Sequence, residues 1–216
     1  MFINILFYIL SGVGITLSVI AIALPVGLVL GVLLSLMRVY GGKLFSGLAA
    51  VYSTIMRGIP HVVLLFILFF VIAGTINLSP LLAGAVSLAI ISSGYQLEIF
   101  RGAIQSIGGG QMMAARALGM TKLKAIRYII LPQALRVAIP SWSNEVASII
   151  KDSSLVYALG VPEILRRAQF MSASTYQPFI AYGIAAVLYF VMTFLAGRLL
   201  DKLETKTKIP CLQLEK

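Results

Sequence analysis

Charge is scarce in this chain. Only 11% of its 216 residues are Asp, Glu, Lys or Arg, and 7 of them are acidic. Soluble domains carry about 25% charged residues, so an ordinary soluble globular domain is excluded. The one cysteine, Cys211, lies in the polar tail. It excludes an intramolecular disulfide framework and a cysteine metal cluster. His61 is the one histidine. With no second His or Cys nearby it is a poor metal ligand, and a packed, hydrogen-bonded imidazole is expected. Motifs of soluble catalysis are missing as well. There is no P-loop, no HExxH, no GxSxG and no CxxC, and Gly12-x-Gly14 lacks the third glycine of a dinucleotide fingerprint.

Apolar residues fill the space that charge leaves. They make up 60% of the chain, and mean hydropathy is +1.01. Long apolar runs then identify an integral membrane protein. The net charge of +10 would suggest nucleic acid in a soluble protein. Here no basic stripe is interleaved with aromatics, so nucleic acid is not expected. The basic residues read as a cytoplasmic rim that meets anionic headgroups.

Five membrane segments are predicted, at about 12–37, 44–72, 81–107, 122–150 and 179–200. The amino terminus lacks a basic n-region and a cleavage site, so it reads as the outer end of the first helix. In the second segment Arg57-Gly58-Ile59-Pro60 predicts two helical pieces. The fourth, with Pro132, Pro140, Arg136, Asn144 and Glu145, reads as too polar and broken for a lipid-facing span. Residues 151–177 read as polar and external, with Glu163 offsetting Arg166 and Arg167. Trp142, Tyr176 and Tyr182 suit interfacial anchoring. Arg38, Lys43, Arg116, Lys122, Lys124, Arg127 and the tail at 201–216 fall on one side of a five-span chain. That places the amino terminus outside and the carboxyl terminus inside a cytoplasmic membrane.

Ionisable residues within spans are costly and mark candidate sites. Glu98 and Arg101, three apart on a helix, can pair with each other, or Glu98 can meet substrate. Arg57 at the break can satisfy freed carbonyls, the favoured reading, or hold a substrate carboxylate. Asn144, Glu145, Ser148 and Asp152 form a stripe, with Tyr95 placed on the same pathway. Glu145 and Asp152 are two turns apart, about 10 Å along one face. Such a pair can flank a path and attract a cation.

The stretch Gly110 to Pro132, GQMMAARALGMTKLKAIRYIILP, lies between two membrane segments. It offers a short helix at 111–118, glycines at both ends, and a Leu-Pro ending. Ala114, Ala115 and Leu118 are expected on one compact side, with Gly119 as the C-terminal cap. Small residues permit close backbone approach. This stretch resembles the EAA loop of ATP-binding-cassette importer permeases. Ala114, Ala115, Gly119, Ile129, Leu131 and Pro132 match its spacing, and Met113 stands where the family has an acid. Arg57-Gly58-Ile59-Pro60, Glu98-Ile99-Phe100-Arg101-Gly102, Leu131-Pro132-Gln133-Ala134-Leu135-Arg136, Asn144-Glu145 and Lys151-Asp152-Ser153-Ser154-Leu155 look like the polar amino-acid branch of that family.

The resemblance implies a single all-α permease domain over residues 1–216, of the type I importer fold. Its coupling helix, in a loop at about 108–121, would dock an ATPase through Gln111, Met113, Ala114, Ala115, Leu118 and Gly119. It also implies two ATPase subunits that use ATP and Mg, a second permease subunit (identical or closely homologous), and an extracytoplasmic amino-acid-binding protein. No cofactor is expected on this chain, and no catalysis by it. The expected cargo is a polar, basic amino acid, with a neutral or acidic one as the alternative. A motor-less channel has no use for a docking helix. An intramembrane enzyme needs a nucleophile with a base, or paired acids held close, which one histidine and scattered carboxylates do not supply.

Overall fold

The computed structural model describes residues 2–207, and Lys208 and Cys211 lie outside them. Among the described residues there are helices and no strands. The chain begins with α1 (Phe2–Leu10) and α2 (Val13–Tyr40), which are separated by a break at Ser11-Gly12. Gly12 is required there. A Cβ would meet the backbone of Glu163 and Ile164 at 2.9 Å.

Helix α2 presents Thr16, Val19, Ala23, Gly27, Gly31 and Ser35 as a buried stripe, three or four residues apart. It packs along α5 (Pro80–Ser106), the central helix of the fold. Small residues let the two backbones close up, the usual solution between membrane helices. A Cβ on Gly31 would lie 2.5 Å from Cβ of Gln96.

The second segment is broken, as expected. Helices α3 (Lys43–Gly58) and α4 (His61–Thr75) meet at 116° across Ile59-Pro60. Pro60 has no N–H to continue α3, and its carbonyl instead starts α4 by accepting from the Leu64 N–H at 3.1 Å. Ser79 caps α5 by accepting from Leu82 N–H, and Pro80 suits the first helical turn.

After α5 the chain forms α6 (Gly108–Ala117) and α7 (Lys122–Ala125), then a π-helical turn at Ile126–Ile130 and α8 (Leu131–Asp152). The expected disruption of 122–150 is therefore absent, and the segment is helical throughout. The π turn explains how Pro132 is tolerated: the Leu131 N–H reaches back five residues to the Ile126 carbonyl, absorbing the irregularity locally.

Residues 153–177 correct the sequence reading. They form a 3₁₀ stretch, Ser153–Leu159, and a helix, α9 (Ile164–Thr175), that pack into the molecule. Val156, Val161, Ile164 and Ala168 are buried. Glu163 does not neutralise Arg166 or Arg167. It is fully buried as the cap of α9, accepting from the N–H groups of Leu165 and Arg166 and from the Tyr189 hydroxyl. Burial pushes its carboxyl above the usual range, and these donors hold it back. Arg167 turns instead to Ser11 Oγ at 2.7 Å and the Tyr8 ring.

The chain closes the bundle with α10 (Pro178–Thr207). Among the described residues, three stretches are long and apolar enough to cross a bilayer: 2–40, α5 and α10. The bent α3–α4 pair makes a fourth. Helix α8 covers most of the expected fourth segment, 122–150, and its polar residues leave it short of that apolar character. Trp142, expected at an interface, points inward: its Nε1–H donates to Gln96 Oε1 at 3.0 Å. Tyr176 and Tyr182 are exposed.

Candidate functional site: a two-cavity seam and an exposed short helix

Helices α5 and α8 pack side by side, and polar or small side chains recur along both facing stripes. On α5 these are Ser92, Tyr95, Glu98, Gly102 and Ser106. On α8 they are Asp152, Ser148, Glu145, Ser141 and Ala138. Spacings of three and four keep each set on one helical face. Two cavities lie along this seam.

The first cavity, of about 320 Å³, is bounded by Ser92, Tyr95, Glu145, Ser148, Lys151, Asp152 and His61 over a floor of Leu88 and Ile91. The two carboxylates expected to share a face do converge here. Glu145 Oε1 accepts from Ser92 Oγ at 2.7 Å. Ser92 in turn accepts from Gln96 Nε2 at 3.0 Å, and Gln96 holds Trp142. One wall is thus fixed by a chain of four polar groups.

His61 fixes the other wall. It opens α4, just past the Pro60 bend, and reaches Asp152 Oδ2 through Nδ1 and the Tyr95 hydroxyl through Nε2, both at 3.0 Å. With its proton on Nδ1, the ring donates to Asp152 and accepts from Tyr95. The hydrogen-bonded histidine was foreseen; its place in the cavity was not. Its partner Asp152 is 91 residues away, so only the bend brings them together. Lys151 and Ser92 were also missed. Asn144 is exposed and lines neither cavity.

The second cavity, of about 470 Å³, lies nearer α6, lined by Glu98, Gly102, Ser106, Ala138 and Ser141. Glu98 pairs with Arg101 at 2.7 Å, as one reading of the sequence had it, and accepts from Ser53 Oγ at 2.9 Å. Arg57 lies 4.0 Å from the same carboxylate. It is therefore aimed at Glu98, away from the carbonyls freed at the bend, which was the favoured reading. Glu98 and Arg57 sit apart from the Glu145–Asp152 pair.

The short helix α6 sits between the two seam helices in the chain. Ile107 alone separates it from α5, and α7 and the π turn join it to α8. Its end is sharp. The Met120 N–H bonds to Ala115 O at 3.1 Å and the Gly119 N–H to Arg116 O at 3.0 Å, a Schellman cap that requires a left-handed residue. Gly119 supplies it with φ +80°.

Met113 on α6 and Leu118 at its C-terminal cap stand 69% and 82% exposed, and Leu123 follows at 75%. Ala115 does not share their side: it is buried against the protein while Ala114 is exposed. Gln111 is exposed as well. Lys122 Nζ donates to Tyr40 O at 3.3 Å, so the α2–α3 turn and the α6–α7 loop meet at one end of the bundle.

Residues 23–208 match the family model described as binding-protein-dependent transport system inner membrane component. Among curated proteins, the histidine/lysine/arginine/ornithine transport system permease protein HisM of Escherichia coli (strain K12) is 36% identical over 210 residues, covering 92% of this chain and 88% of that protein. The octopine transport system permease protein OccQ of Agrobacterium tumefaciens (strain Ach5) is 33% identical over 211 residues, 92% and 89% of the two chains. The putative glutamine transport system permease protein GlnP of Rickettsia conorii (strain ATCC VR-613 / Malish 7) is 35% identical over 204 residues, 93% of each. Among solved structures, an amino acid ABC transporter crystallised with histidines superposes with a TM-score of 0.81 at 35% identity, covering 92% of this chain and 94% of that one. The MetNI methionine ABC transporter shares the fold, with a TM-score of 0.77 at 22% identity over 94% and 97% of the chains.

Proposed function

The chain belongs to the family of binding-protein-dependent transport system inner membrane components and is an amino-acid ABC transporter permease, and from that premise we propose that its cargo is a cationic amino acid that travels along the α5–α8 seam. ATP hydrolysis falls to a separate subunit. The observation that carries the proposal is the convergence of Glu145 and Asp152 on one cavity. Against them stands Lys151 alone. Two carboxylates thus face one ammonium in the lining, and a zwitterion with a cationic side chain brings a further positive charge to them. Burying that cation without an acid would carry a desolvation cost of several kcal/mol, of order 5. Lys151 suits the cargo's α-carboxylate. The relatives' names span basic amino acids, octopine and glutamine, so the charge of the lining is the argument for a cation.

Drive comes from outside the bilayer. Met113, Leu118 and Leu123 form the apolar contact that enters a partner ATPase, and Gln111, Ala114 and Gly119 complete the docking end. Two such ATPases, using ATP and Mg, serve this permease and a second copy or close homologue of it. Displacing α6 pulls on both seam helices at once, because it is chained to each. The seam then opens alternately to an extracytoplasmic binding protein and to the cytoplasm, by rocking of rigid helices. The basic turns at Arg38, Lys43, Lys122 and Lys124 mark the cytoplasmic end, with the amino terminus outside.

Equilibrium binding of labelled arginine and glutamine to the purified permease–ATPase complex tests the cargo. Arginine binds more tightly, and Glu145→Gln weakens it by about 10- to 100-fold, the worth of one charged hydrogen bond. Tight glutamine binding with no arginine binding overturns the cation reading.

A further inference from the structure

We infer that the outer face of α2, α5 and α8 holds an anionic phospholipid, with one acyl chain in the cleft beside Trp142 and its phosphate on Arg136. The cleft has a volume of about 220 Å³ and is lined by Leu28, Phe100, Leu135, Ile139 and Trp142, with Arg136 at its edge. It shares no lining residue with either cavity of the seam. Phe100 is two residues past Glu98 on α5, so it faces about 200° away from that seam residue. On α8, Leu135, Ile139 and Trp142 follow a stripe of their own, distinct from that of Ala138, Ser141 and Glu145.

Three features select the occupant. The volume is below the roughly 300–1,000 Å³ of a small-molecule site, which suits a slender chain rather than a compact polar ligand. The walls are apolar, and Trp142, the one polar-capable ring among them, spends its N–H on Gln96. A hydrocarbon therefore loses nothing by covering it. Arg136 supplies the charge. Its exposed guanidinium has no carboxylate within ion-pair distance among the described residues, and no acid lines the cleft. A guanidinium on an apolar membrane face requires an anion or the headgroup layer. Arg127 lies nine residues earlier on the same helical run, about 14 Å away, toward the end that carries Lys122 and Lys124. A headgroup at Arg136 with its chain running toward Trp142 satisfies both the charge and the cleft.

Trp142 is the only tryptophan and lines the cleft, so it reports occupancy directly. The full-length chain is reconstituted in phosphatidylcholine bilayers containing either brominated phosphatidylglycerol or brominated phosphatidylcholine, and Trp142 fluorescence is recorded. The brominated anionic lipid quenches at about fivefold lower mole fraction, the preference one basic residue confers. Arg136→Gln removes that preference, Arg136→Lys retains it, and Lys202→Gln leaves it intact. Equal quenching by both lipids overturns the proposal, as does a preference that survives Arg136→Gln. Absence of quenching by either lipid also overturns it, and would show that protein, such as a second copy of this chain, covers the face.

Discussion

The cap at Gly119 separates backbone geometry from surface contact. Its φ of +80° lies in the left-handed region, and a Cβ built there meets nothing within 4 Å. Substitution therefore introduces conformational strain without a clash. Alanine in that region costs about 1–2 kcal/mol, which shifts the ratio of capped to uncapped helix by about 5- to 30-fold. A β-branched residue costs more, and asparagine, which tolerates the left-handed region, costs less. If α6 transmits force to the seam, coupling follows this order. Cargo-stimulated ATP hydrolysis is measured on the reconstituted permease–ATPase complex for Gly119→Asn, Gly119→Ala and Gly119→Val. Activity stays near the parent for Asn, falls for Ala by at most about 30-fold, and falls further for Val. Equal loss in all three refutes the backbone argument in favour of a lost contact. No loss in any of them refutes the role of the cap.

Gly31→Ala places a methyl 2.5 Å from Cβ of Gln96 and 3.2 Å from its backbone carbonyl carbon. The overpacking costs about 1–3 kcal/mol, so the melting temperature of the purified protein drops. Gly14→Ala, with nothing within 4 Å, leaves it in place; an equal melting temperature for both variants contradicts the close packing of α2 on α5. Met113→Cys in a Cys211→Ser background tests orientation. A membrane-impermeant maleimide labels it in inverted vesicles and spares it in intact cells; the reverse pattern inverts the topology.

Local chemistry was legible in the sequence. Pro60 predicts the bend because it has no N–H to give, and Gly119 predicts the cap because its conformation excludes most side chains. Helical periodicity alone brings Glu145 and Asp152 to one face. Long-range packing was not legible. His61 reaches Asp152 only because α4 turns through 116°, and no local pattern encodes that angle. The fourth segment looked broken because two prolines normally interrupt a helix, yet a π turn absorbs the first. Trp142 looked like an interfacial anchor because its partner, Gln96, lies 46 residues earlier on another helix. Ala115 matched a motif by spacing, but spacing does not show which side of a short helix meets its own protein.

The seam itself is tested most directly by substrate protection at Ser148, a residue of the first cavity with no charge to lose. A Ser148→Cys, Cys211→Ser permease is assembled with its ATPase, and the rate of thiol modification is followed with and without arginine. Arginine in the cavity slows modification, while glutamate at the same concentration does not. An unchanged rate under arginine concentrations that drive ATP hydrolysis would place the cargo somewhere other than between α5 and α8.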